Sequence, residues 1–67
     1  MNDESILRYT DLAAVIQMAR ARGWSVRRIV REMSAGLASA DALKLARKAA
    51  PLLDISVGEF MRLRRNQ

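Results

Sequence analysis

Apolar residues recur three and four positions apart along most of this chain, and nowhere do they alternate long enough to build a strand. Leu12, Val15, Ile16 and Ala19 form the first stripe. Thr10 is a suitable N-cap before it, Asp11 sits at the positive end of the helix dipole, and Gly23 suits a left-handed position after the end. Together they predict a helix over 11–22. Ser25 caps a second helix reaching about residue 34, with Val26, Ile29, Val30 and Met33 as its stripe. Trp24 and Ile29 are spaced as a hydrophobic staple, and Gly36 closes the segment.

A third helix opens at Ser39, with Asp41 in its first turn and Leu43, Ala46 and Ala50 on its inner side. Pro51 ends or kinks it, because proline has no N–H to donate and turns Ala50 away from helical angles; Leu52 and Leu53 still pack. Ser56-Val57-Gly58-Glu59 reads as a capping box, stapled by Ile55 and Phe60. The last helix then runs from Val57 to about Arg64 and buries Val57, Phe60 and Met61. Residues 1–4 read as a tail, and Ile6 and Leu7 as a short turn over one end of the core. The expected fold is all-α: one domain over 5–67, a small bundle of three to four short helices with a helix-turn-helix-like core.

Composition narrows the chemistry. Eleven of the apolar residues are alanine, and Trp, Tyr and Phe occur once each, so the core is small and close helix packing or oligomerisation must support it. There is no cysteine and no histidine. Conventional zinc, haem and iron–sulfur sites are thereby excluded, as are the triads that use a histidine base. No cofactor and no enzymatic activity are expected. The first residues, Met1-Asn2-Asp3-Glu4, are acidic where a signal peptide is basic, and no run approaches the ~20 apolar residues of a membrane span, so a cytoplasmic protein without a membrane partner is expected.

Charge adds a macromolecular partner. The chain carries a formal +5, and ten of its twelve cations are arginine. Arg20, Arg22, Arg27, Arg28 and Arg31 form the largest cluster, with Lys44, Arg47 and Lys48 as a second and Arg62, Arg64 and Arg65 as a third. Brought to one face they would neutralise several phosphates of a duplex. Left apart they are solvated helix faces, and the third cluster fits cations placed at a helix C-terminus. Aromatic residues are not interleaved with them, which argues against single-stranded nucleic acid.

The run Arg22 to Met33 resembles the opening helix of a helix-turn-helix, which makes 39–50 the candidate reading helix. That comparison weakens at the connector, Ser34 to Ala38, which is longer than a usual tight turn and has serine where glycine is expected. Asp41 at the reading end would repel phosphate. A plain helical hairpin within a bundle explains the same pattern. Met18, Leu37, Leu45, Met61 and Leu63 also fall outside the inner stripes, which suggests a protein-contact patch of Met and Leu or a helix phase that differs from the one drawn.

The run from Ala19 to Met33, the loosened turn, the basic helix 41–50 and the closing Phe60-Met61-Arg62-Leu63-Arg64 resemble the helix-turn-helix-like domain of regulators of rhizobial integrative and conjugative elements. That group contains excision activators and small antiactivators, and the similarity spans about residues 12–65. The resemblance implies a protein that binds a transcriptional activator and blocks it, regulating mobile-element transfer. The alternative is a DNA-binding repressor or excisionase-like factor on double-stranded DNA, for which a homodimer would be the usual form. For either partner the candidate contact residues are Arg20, Arg22, Arg27, Arg28, Arg31, Lys44, Arg47, Lys48, Met18, Met61 and Leu63.

Overall fold

The computed structural model describes residues 9–65. The expected tail over 1–4 and the turn at Ile6 and Leu7 lie outside the described residues. Within them the chain forms α1 (Tyr9–Ala21), α2 (Val26–Ser34), α3 (Ser39–Leu53) and α4 (Val57–Arg65), with no strand. The fold is a small all-α bundle. α3 is its central helix: α1 and α4 pack on it most extensively, α4 also lies across α2, and α2 meets α3 over a shorter stretch.

Local chemistry sets each boundary. α1 ends in a Schellman motif: the Trp24 N–H donates to the Ala19 carbonyl at 3.1 Å and the Gly23 N–H to the Arg20 carbonyl at 2.9 Å. Gly23 takes the left-handed φ of 85° that this turn requires. Ser25 then caps α2, its Oγ accepting from the Arg28 N–H at 3.1 Å. Ser34 is the buried last residue of α2, and its hydroxyl donates to the Val30 carbonyl at 2.7 Å, the i−4 bond open to serine inside a helix. The connector is a type II turn. Ala35 holds φ −58° and ψ 129°, Gly36 holds φ 80°, and the Leu37 N–H returns to the Ser34 carbonyl. The glycine is therefore present, at the third position of the turn.

Three expected boundaries are corrected. α1 as described runs Tyr9–Ala21, so Thr10 is a helical residue and not the residue that precedes the helix. α3 has Ala38 at its N-cap position with no side-chain cap bond, and Ser39 is its first helical residue. Pro51 does not end α3, which continues to Leu53. The proline ring is exposed, where the carbonyl it leaves without a donor reaches water. A second Schellman motif closes the helix behind it, with Ile55 N–H on the Ala50 carbonyl and Asp54 N–H on the Pro51 carbonyl.

Asp54 holds the left-handed position of that motif at φ 62°, ψ 38°. An L-residue is strained there, and a carboxylate at the C-terminus of α3 opposes the helix dipole. Asp54→Gly is expected to raise stability by about 0.5–1 kcal/mol, after the greater freedom of glycine in the unfolded chain is offset. Asp54→Asn, which removes only the charge, should gain less. Urea midpoints of the three chains check the order.

The core joins Leu12, Ile16 and Ala19 of α1, Ile29 and Val30 of α2, Leu45, Ala46, Ala49, Ala50 and Leu53 of α3, and Phe60 of α4. Two phases differ from the sequence reading. On α1, Val15 is 42% exposed, because a helix packed chiefly on α3 needs only the narrow stripe Leu12–Ile16–Ala19. On α3, Leu45 is buried and Leu43 only half-buried, so the inner face is centred on Ala42, Leu45, Ala46, Ala49 and Leu53.

Candidate functional site

An apolar groove opens between α1 and α2. Leu12 and Val15 wall it on one side, Trp24, Met33 and Glu32 on the other, and Ala19, Ile29 and Leu45 form its floor. Its volume is about 280 Å³. It continues past Ala19 and Trp24 into a second hollow of about 160 Å³ that adds Met18 and Arg22. Both are lined almost wholly by apolar side chains, with Glu32 and Arg22 as the charged groups, so they offer little to orient a polar substrate. The dimensions suit a few side chains from a partner helix. Val15 and Met18, the latter 56% exposed, are the two large apolar side chains most open to solvent among the described residues, and both border this groove.

The groove edge is built from local features of the chain. The Schellman turn at Gly23 carries Trp24 out of α1, and the Ser25 cap starts α2 directly after it. Trp24 packs against the core, and the Arg28 guanidinium lies over its ring at 3.9 Å from the centroid. That cation–π contact holds the indole in place at the groove wall. Arg22 and Glu32 stand at different points of the rim, so a partner meets both signs of charge there.

The largest arginine cluster of the sequence divides among several positions. Arg20 reaches α3, where its guanidinium donates to the Leu53 carbonyl at 3.4 Å, and so ties α1 to the C-terminus of the central helix. Arg22 lies at the end of the groove, and Arg28 covers Trp24. Arg27, Arg28 and Arg31 are exposed along α2 and flank a shallow polar cleft with Glu32 and Ala35.

Lys44, Arg47 and Lys48 are all exposed on the outer side of α3, opposite its buried alanines. Lys44 and Lys48 line a cleft with Leu37, Asp41 and Leu45, which shares no lining residue with the cleft of the α2 arginines. Asp41 therefore stands among the lysines, in the first turn of the helix.

The Met and Leu patch of the sequence is redistributed. Leu45 belongs to the core, and Leu37, Met61 and Leu63 are half-buried against it. Met61 and Leu63 are thus packing residues of α4 more than a free surface. Met18 remains exposed, and Val15 joins it. In the tail cluster, Arg62 pairs with Glu59, while Arg64 is half-buried and donates to the Leu37 carbonyl at 2.6 Å, fastening α4 to the α2–α3 turn. The Ser56 Oγ does cap α4 by accepting from the Glu59 N–H at 3.0 Å.

Sequence reasoning missed Val15, Trp24 and Met33 as groove residues. Trp24 and Met33 had been accounted for as staple and stripe, and Val15 shares helical spacing with Leu12. Only the separation of α1 from α2 turns them into a surface. No helix of the described residues is long and apolar enough to cross a membrane. No known protein family, curated protein or solved structure matches this chain.

Proposed function

We propose that the chain is a small transcriptional-control protein, an antiactivator that captures a helix of a transcriptional activator in the α1–α2 groove and performs no chemistry. The observation that carries this reading is the open apolar groove with Val15 and Met18 exposed beside it. An amphipathic helix would set apolar side chains at i, i+3 or i+4 and i+7 into the groove, against a fixed Trp24 and the adaptable side chains of Met18 and Met33. Arg22 and Glu32 would fix its direction. The resemblance to regulators of integrative and conjugative elements supports an activator of mobile-element transfer as the target.

The test is a reporter driven by the activator of the host element, combined with co-purification. The wild-type chain should silence the reporter and retain the activator. Met18→Glu sets a charge into the groove mouth at a position the fold does not bury, and it is expected to weaken capture by about 10–100-fold while leaving the helical circular dichroism unchanged. The triple variant Lys44→Ala, Arg47→Ala, Lys48→Ala should silence as well as wild type. An activator that neither binds nor responds to the wild-type chain removes the reading.

A DNA-binding role has one observation in its favour, the alignment of Lys44, Arg47 and Lys48 on one exposed side of a helix that follows a tight turn. Fluorescence anisotropy with duplex promoter DNA at two salt concentrations decides it. Binding that weakens with salt and is lost in the triple variant would favour DNA over protein capture.

A further inference from the structure

Helix stability does not account for the cations that open α2. Arg27 and Arg28 stand in its first turn, which holds no acidic residue, and a positive charge there opposes the helix dipole. Arg31 follows one turn after Arg27, about 6 Å further along the axis, and all three side chains are exposed. They flank one cleft, and of the residues lining it Glu32 alone carries a carboxylate. The Trp24 ring fixes the Arg28 guanidinium at 3.9 Å from its centroid, while the planar fork of donors stays exposed. From this we propose that the arginine side of α2 binds the phosphate backbone of duplex DNA without reading its sequence.

Three observations select a duplex over other anionic partners. No large apolar side chain lines the cleft, so it lacks the anchor on which protein interfaces depend, whereas phosphate contacts need none. The apolar side of α2, Ile29 and Val30, is buried in the core, which leaves it nothing to insert into a bilayer. Trp24 is half-buried beneath Arg28, so the bases of a single strand find no open ring beside the cleft. The spacing also fits. One strand of duplex DNA carries a phosphate per roughly 3.4 Å of axis, and the rise from Arg27 to Arg31 spans about two of them. Paired guanidinium N–H groups match phosphate oxygens in geometry.

This surface is separate from the others described. The cleft and the apolar groove share Glu32 and no other lining residue, so one chain can hold DNA and a protein helix together. In the antiactivator reading, contact with DNA of any sequence keeps the inhibitor where an activator works. The lysines of α3 line a different cleft, which includes Asp41. The inference goes beyond the proposed function and does not rest on it.

Anisotropy of a short labelled duplex of arbitrary sequence, titrated with the full chain at about 50 and about 200 mM salt, tests the assignment. Wild type is expected to bind with a dissociation constant between about 1 and 100 μM, and three phosphate contacts make binding about 40-fold weaker at the higher salt. The triple variant Arg27→Gln, Arg28→Gln, Arg31→Gln should lose most of the binding and of its salt dependence, with unchanged helical circular dichroism. Its control, Lys44→Gln, Arg47→Gln, Lys48→Gln, removes the same number of charges from the +5 and should stay within about threefold of wild type. Glu32→Gln should tighten binding, a gain that loss of structure cannot produce. Equal losses in the two triple variants would mean that net charge alone attracts the duplex, and would overturn the proposal. So would a loss confined to the α3 variant, a duplex left free by about 100 μM wild-type chain at the lower salt, or equal binding to polyglutamate or anionic vesicles. A chain that captures an activator but not a duplex removes this inference alone.

Discussion

Phe60→Ala is expected to leave most of the chain unfolded in dilute buffer at room temperature. Phe60 is fully buried, the largest such side chain among the described residues, and the only buried residue of α4. That helix has nine residues, too few to persist by propensity alone, so its place in the bundle depends on packing against α2 and α3. Truncating a buried Phe to Ala typically costs about 3–5 kcal/mol, from lost transfer energy and the cavity left behind. The single core of a chain of 67 residues rarely supplies more than about 3–5 kcal/mol in total. The loss is therefore comparable to the whole stability, and there is no disulfide in the chain to limit it. Urea and thermal melts followed at 222 nm check the result. A sloping signal without a folded baseline is expected, and a cooperative melt within about 1.5 kcal/mol of wild type would mean that α4 is held by other contacts.

Where the sequence placed an element correctly, a local bond or a large side chain did the placing. Ser25, Ser56 and Gly23 act within four residues of themselves, and each makes the contact expected of its position. Phe60, Ile29 and Val30 are bulky enough to mark their faces unaided. The misreadings share a different origin. α3 has Ala40, Ala42, Ala46, Ala49 and Ala50 around its circumference, so its apolar pattern has little contrast and the packed helices decide which alanines are inside. Pro51 looked decisive because its own chemistry opposes a helix, yet the carbonyls of Ala50 and Pro51 find donors beyond it in Asp54 and Ile55.

The candidate site was less legible than the fold, for a physical reason. Arg20 and Arg64 contact carbonyls 33 and 27 residues away, which no periodicity records. They look like the other arginines in sequence and act as fasteners in the structure. Val15 shows the converse, since its spacing assigns it to the core while the narrow contact of α1 leaves it in the groove wall. Met18 and Arg22 were identified from sequence and do meet at one end of that groove.

The phase of α3 can be tested with one substitution made at two alanines. Ala49 is fully buried and falls outside the Leu43–Ala46–Ala50 stripe that the sequence suggested, whereas Ala40 is exposed as the second residue of the helix. The buried face of α3 is chiefly alanine, so the neighbouring helices approach to the depth of a methyl group and no cavity borders Ala49 among the described hollows. Ala49→Leu adds three carbons there. They must displace a neighbouring helix or adopt a strained rotamer, and overpacking of this kind costs about 1–3 kcal/mol. At Ala40 the same three carbons extend into solvent, and since leucine nearly equals alanine in helix propensity the change should lie within about 0.5 kcal/mol of zero. Intrinsic propensity is common to the two variants, so the difference in their urea midpoints isolates packing. Equal stabilities would mean that α3 is rotated about its axis from the orientation described, and the outer placement of Lys44, Arg47 and Lys48 would fall with it.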